Sequence, residues 1–230
     1  MADSSHAGPH PDPSEPPAGE PVRVHSIQEE YFFLMVHPCA CGGPWFSHEQ
    51  AVERLGERLA HHVTARCAKC GKEQTFHFAL PGETKLDHPA PIREINPTNE
   101  PSRAVDAAEW MDLARFYLER IERLKSPTER AQSLLDARGC LEEALKFYGP
   151  DDDGPPAGAL WSDASRRKVA EHPDAYRREA LETMLAKMPT TERLRQADGP
   201  DQREFRKALK ETARRRVGRR WWEFWKRGSN

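Results

Sequence analysis

Four of the five cysteines stand in two close pairs, Cys39-Ala40-Cys41 and Cys67-Ala68-Lys69-Cys70, and thiols paired this way are suited to gripping a metal ion. Two thiolates reach one ion only if the backbone turns sharply beneath them, often through φ > 0, which glycine adopts without a Cβ penalty. Each pair has that punctuation, Gly42-Gly43 after the first and Gly71 after the second. The segment Cys67-Ala68-Lys69-Cys70-Gly71-Lys72 reads as a metal-binding knuckle, with Lys69 and Lys72 placed to offset the excess charge of a tetrathiolate. The expected ligands are therefore Cys39, Cys41, Cys67 and Cys70, and the expected ion is zinc. A closed shell of four thiolates keeps no open coordination position, which argues against zinc-assisted hydrolysis. Nearby histidines, His37, His48, His61, His62 and His77, could replace a cysteine, but with four thiolates at hand they are expected to face solvent. The main rival is thiol redox chemistry at Cys67 and Cys70, which lacks a βαβ context and leaves Cys39 and Cys41 idle. Iron-sulfur ligation and purely structural cysteines are the minor alternatives.

These residues resemble the zinc ribbons, a broad fold group, over about residues 31–80. The resemblance implies two cysteine-bearing turns facing each other across one tetrahedral ion, with strands after each turn forming a small antiparallel sheet. It rests on Cys39, Cys41, Cys67 and Cys70 alone, and the first pair departs from the usual form in having one intervening residue rather than two. Ribbons serve many functions, so the resemblance implies a fold and a structural metal, not an activity.

The elements that must position the cysteines come from a chain of 230 residues with 37% hydrophobic and 31% charged content. Such a composition favours small modules with loose connections over a single large core. Residues 1–26 are polar and proline-rich, without a secretory pattern, and are expected to be disordered. No stretch approaches the ~18 apolar residues of a membrane span. A cytoplasmic setting with reduced thiols is expected, and there paired cysteines favour metal over disulfide. The fifth cysteine, Cys140, falls in a helical pattern as a small buried residue.

The ribbon is assigned to residues 27–82. Tyr31-Phe32-Phe33-Leu34-Met35-Val36 is rich in β-formers and reads as a strand delivering the chain to the first cysteine turn. Between the pairs the pattern is ambiguous. Ser47-x-x-Gln50 with Val52, Leu55 and Leu59 argues helix, whereas Leu59, His61, Val63 and Ala65 alternate toward Cys67 and Gly56 suits a hairpin turn. Strands over 45–55 and 58–65 are the preferred reading, followed by a strand over 74–80 with Phe76, Phe78 and Leu80 on one side. Residues 83–101 carry four prolines and read as an extended linker.

Residues 102–190 form the expected helical domain. A first helix over about 102–124 is capped by Ser102 or a neighbour and carries Trp110, Leu113, Ala114, Tyr117 and Ile121 on one stripe. Ser126-Pro127 breaks it, and a second helix over about 128–148 carries Leu134, Ala137, Leu141, Ala144, Leu145 and Tyr148. Trp110-x-x-Leu113-Ala114-x-x-Tyr117 resembles the first helix of a tetratricopeptide repeat, but the second half-signature is too far away and no second copy follows. The pair is read as a helical hairpin, with a peptide-binding groove as the alternative. Three aspartates in the 149–156 loop lack the ligand spacing of a calcium loop. Ser162 and Asp174 are expected to cap two shorter helices over 163–171 and 175–187, and no nucleophile-base-acid set appears.

The last segment, 191–230, concentrates charge. From Asp201 to Asn230 there are eleven basic and four acidic residues, a net +7 against −9 for the remainder. Arg214, Arg215, Arg216, Arg219 and Arg220 are interleaved with Trp221, Trp222 and Trp225. Arginine with tryptophan can hold phosphates and stack bases, lie at an anionic lipid surface, or anchor a protein partner. A solvated basic helix whose aromatics fold back on their own domain is the competing reading. The expected fold is α+β: a small antiparallel zinc-ribbon sheet, an α-helical domain and a basic C-terminal helix. The expected function is a non-enzymatic zinc-binding adaptor or regulatory protein, with a thiol redox protein and a nucleic-acid-binding protein as alternatives.

Overall fold

The computed structural model describes residues 20–82 and 95–191. Disorder of residues 1–19, most of the proline linker and the basic aromatic tail with Arg214, Arg215, Arg216, Arg219, Arg220, Trp221, Trp222 and Trp225 are expectations that lie outside them. The fold is α+β, and the described residues form nine regular elements beyond short 3-10 turns: β1 (Val22–Arg23), α1 (Ile27–Val36), β2 (Trp45–Leu55), β3 (Arg58–Cys67), β4 (Glu73–Pro81), α2 (Ala107–Ile121), α3 (Pro127–Leu145), α4 (Asp163–Glu171) and α5 (Arg178–Lys187). The sheet order is β1-β4-β3-β2, antiparallel except for the parallel β1–β4 pair.

The hairpin reading of the inter-cysteine segment is correct. β2 and β3 pair from Leu55↔Arg58 to Trp45↔Cys67 about a turn at Gly56, with one irregularity between Ser47 and Glu49. Leu59, His61, Val63, Ala65 and Cys67 are all buried on the inner face of β3, as the alternation requires.

The segment read as a strand at 31–36 is instead a helix, α1, which starts at Ile27. Ser26 caps it by accepting from the Glu29 backbone N–H, and its hydroxyl donates to the Ile95 carbonyl. The run Tyr31-Phe32-Phe33-Leu34-Met35-Val36 shows no helical period because α1 is covered on several sides, and such a helix is apolar around much of its circumference. Phe33 meets Phe78 of β4 edge-on at 5.6 Å, while its neighbour Phe32 meets Trp110 and Tyr117 of α2 at 5.2 and 6.3 Å. One helix thus joins the sheet to the helices, and the buried apolar residues form one cluster. Residues 22–23, expected within the disordered tail, form β1. Residues 95–101, assigned to the linker, fold back: Ile95 and Asn96 are buried, and Asn96 bonds to Glu143 and the Glu100 carbonyl.

The helical hairpin is present, with its start shifted. α2 begins at Ala107 because Asp106 caps it in a reciprocal box with Glu109, and Asp106 also accepts from the Trp161 backbone N–H at 3.1 Å. Pro127 opens α3 behind the Ser126 cap. Trp110, Leu113, Ala114 and Tyr117 are buried against Ala137, Leu141 and Ala144, and Cys140 is fully buried among them. Ser162 caps α4, whereas Asp174 caps nothing: Pro173–Tyr176 is a 3-10 turn, and α5 starts after Arg177 without a side-chain cap. Tyr176 fills that corner, its carbonyl accepting from the Tyr148 hydroxyl at 2.7 Å.

Candidate metal centre

The register of the β2–β3 hairpin brings the cysteine turns together. β2 begins at Trp45, just after the first pair, and its partner in β3 is Cys67, the first residue of the second pair. Both turns therefore lie at the same end of the sheet, and the Ala68 N–H donating to the Pro44 carbonyl at 2.9 Å ties one to the other. In the first turn the Gly42 N–H closes on the Cys39 carbonyl at 2.6 Å, and in the second the Gly71 N–H closes on the Cys67 carbonyl at 3.0 Å. Gly42 and Gly71 both have φ of 75°, the left-handed region anticipated for them. Gly43 is needed for a different reason: a Cβ there would stand 2.6 Å from the Cys67 sulfur.

The sulfurs of Cys39, Cys41, Cys67 and Cys70 all lie within 4.8 Å of one another, with Cys41–Cys67 at 3.4 Å and Cys39–Cys70 at 3.7 Å. A tetrahedral ion with metal–sulfur bonds of ~2.3 Å needs sulfur–sulfur edges of about 3.8 Å, so the arrangement fits one. None of the five cysteines is joined to another by a disulfide. Burial pushes the Cys67 thiol up, but the backbone N–H groups of Cys70 and Lys69 and the neighbouring thiols outweigh it and bring it down to about 6. That favours the thiolate, the form that binds metal. The Lys69 ammonium donates to the Cys41 carbonyl at 2.9 Å, which sets a positive charge beside the cluster as expected.

A supporting layer was missed from the sequence. The Trp45 indole N–H donates to the His37 carbonyl at 2.9 Å, and the His37 ring stacks on Phe33 at 4.2 Å. Its Nε2 lies 3.6 Å from the Glu109 carboxylate of α2, so the approach to Cys39 is braced against the helical hairpin. Glu109 is far along the chain, and no local pattern links it to the cysteines.

Among the described residues, the group of His, Cys, Asp and Glu able to surround an ion is these four cysteines, and no histidine joins them. The expectation that the nearby histidines face solvent fails at His61, which is buried with Nδ1 2.7 Å from the Glu30 carboxylate of α1. His48 faces Glu73, and His62 faces His77.

Comparison with protein-family models, curated proteins and solved structures finds no match for this chain. Among the described residues no helix is long and apolar enough to cross a membrane.

Proposed function

We propose that the chain is a zinc protein of the ribbon type, with Cys39, Cys41, Cys67 and Cys70 holding one structural Zn2+. The observation that carries this reading is the convergence of four sulfurs within 4.8 Å on two glycine-kinked turns. Zinc accounts best for four thiolates at sulfur–sulfur separations below 4.8 Å, and it would supply folding energy rather than an open site for chemistry.

Within that class we read the protein as a non-enzymatic adaptor of the cytoplasm. The sheet and helical hairpin form the scaffold, and recognition falls to the basic aromatic segment containing Arg214–Arg216, Arg219, Arg220, Trp221, Trp222 and Trp225, or to the hairpin surface. A nucleic-acid ligand of that segment would lose affinity steeply with salt, and a protein partner anchored by the tryptophans would lose far less.

The deciding experiment measures metal content and thiol reactivity on the same purified sample. One zinc per chain, with four thiols released only when the metal is stripped, supports the reading. Metal-free protein whose native Cys67 and Cys70 react rapidly would overturn it in favour of thiol redox chemistry, which the lowered Cys67 thiol and the exposed Cys70 would then serve.

A further inference from the structure

The outer face of the sheet carries a second cluster of potential metal ligands. His62 of β3 and His77 of β4 are direct cross-strand partners, and their Nδ1 atoms lie 2.6 Å apart. The rings meet edge-on with centroids at 4.8 Å, and the two Nδ1 atoms face each other across their hydrogen bond. His77 is exposed and His62 half-buried, and the partner of His62 on the β2 side is exposed Ala51, too small to cover the pair.

We propose that His62 and His77 form a surface site for a divalent transition metal of the imidazole-preferring class, Ni2+, Cu2+ or Zn2+, separate from the four-cysteine centre. With metal–nitrogen bonds of ~2.0–2.1 Å, two cis imidazoles stand about 3 Å apart, so the rings need part by only a few tenths of an ångström. Without metal one Nδ1–H donates to the other Nδ1; when an ion takes the place between them, that proton moves through solvent to the Nε2 of its own ring, so both imidazoles stay neutral and both Nδ1 lone pairs are free to ligate. Both side chains stand on paired strands rather than on a loop, which fixes their separation before an ion arrives. His62 is five residues from Cys67 on β3, roughly 17 Å at ~3.3 Å per residue, so the two centres share no ligand. The neighbouring row closes on itself, with Thr64 Oγ1 3.1 Å from Thr75 Oγ1, and beyond it Glu73 is taken up by Arg66 and His48. Two protein ligands leave the remaining positions of the ion to water or to a donor on a partner.

The test adds Ni2+ to the full-length, zinc-loaded protein and follows heat release and histidine ring resonances while zinc content is checked to be constant. Binding at one site, with His62 and His77 broadened first and affinity falling at least tenfold in either His62→Ala or His77→Ala but not in His48→Ala, supports the proposal. Affinity unchanged in both variants, or broadening spread evenly over the exposed histidines, overturns it. His62→Gln and His77→Asn keep polarity and size, and melting temperatures like that of the parent exclude a folding defect as the cause. None of these outcomes depends on what the basic tail recognises.

Discussion

Gly43 is squeezed between the Cys67 sulfur and the Lys69 Cβ, each 2.6 Å from where a Cβ would stand. Gly43→Ala must therefore displace a ligand or its turn, and an affinity for zinc weaker by ~10–100-fold is expected in a competition titration with a chromophoric chelator. Cys67→Ser removes one of the four proposed zinc ligands outright. Structural zinc in small sites is worth about 10–16 kcal/mol, comparable to the whole stability of a domain, so this variant should lack metal and lose near-ultraviolet circular dichroism. A second set of residues reports on pH. Burial pushes Glu30 up to about 7 against the opposing His61 hydrogen bond. Burial likewise pushes Glu143 up to about 7 and Glu109 up to about 8. A carboxyl that the fold keeps protonated adds stability that is full below its unfolded value of 4.5 and is lost as pH rises through its folded value. The urea midpoint of metal-loaded protein should accordingly fall as pH rises from about 4.5 to 8. Glu30→Gln should flatten that fall, and an unchanged slope would remove Glu30 from the account.

α1 and α2 show what a sequence conveys about an element and what it hides. For α2 the pattern Asp106-Ala107-Ala108-Glu109 is a complete capping box, yet Ser102 stood near enough to be taken as the start. Asp106→Ala would cost roughly 2–4 kcal/mol in denaturant unfolding, from the lost cap together with the orphaned Trp161 N–H. For α1 the sign was Ser26-x-x-Glu29 just ahead of the apolar run. The run itself could not decide between helix and strand, because periodicity disappears when an element is buried on several faces. The two cysteine pairs, their glycines and the β2–β3 hairpin were readable because each depends on residues close in sequence. Partners such as Glu30 with His61, His37 with Glu109 and Ser26 with Ile95 were not, because tertiary packing alone brings them together.

Across the whole molecule, one apolar cluster runs from the sheet through α1 to the helical hairpin, so the metal end and the helices should unfold together. Phe32→Ala empties the contact with Trp110 and Tyr117 and should cost about 3–5 kcal/mol. More telling is chelation of the metal from the parent protein: helical circular dichroism should fall along with the sheet signal in a single transition. Two separated melts, with the helical signal untouched by chelator, would show that α1 does not transmit the loss.

The position of α1 also bears on how the chain emerges during synthesis. Tyr31-Phe32-Phe33-Leu34-Met35-Val36 is made before the surfaces that cover it, β4 on one side and α2 on the other. β1 waits as well, since among the described residues it pairs with β4, made after β2 and β3. This apolar run thus stays uncovered until α2 (Ala107–Ile121) has been made, and a nascent chain stalled before α2 would present it to holding chaperones or to aggregation.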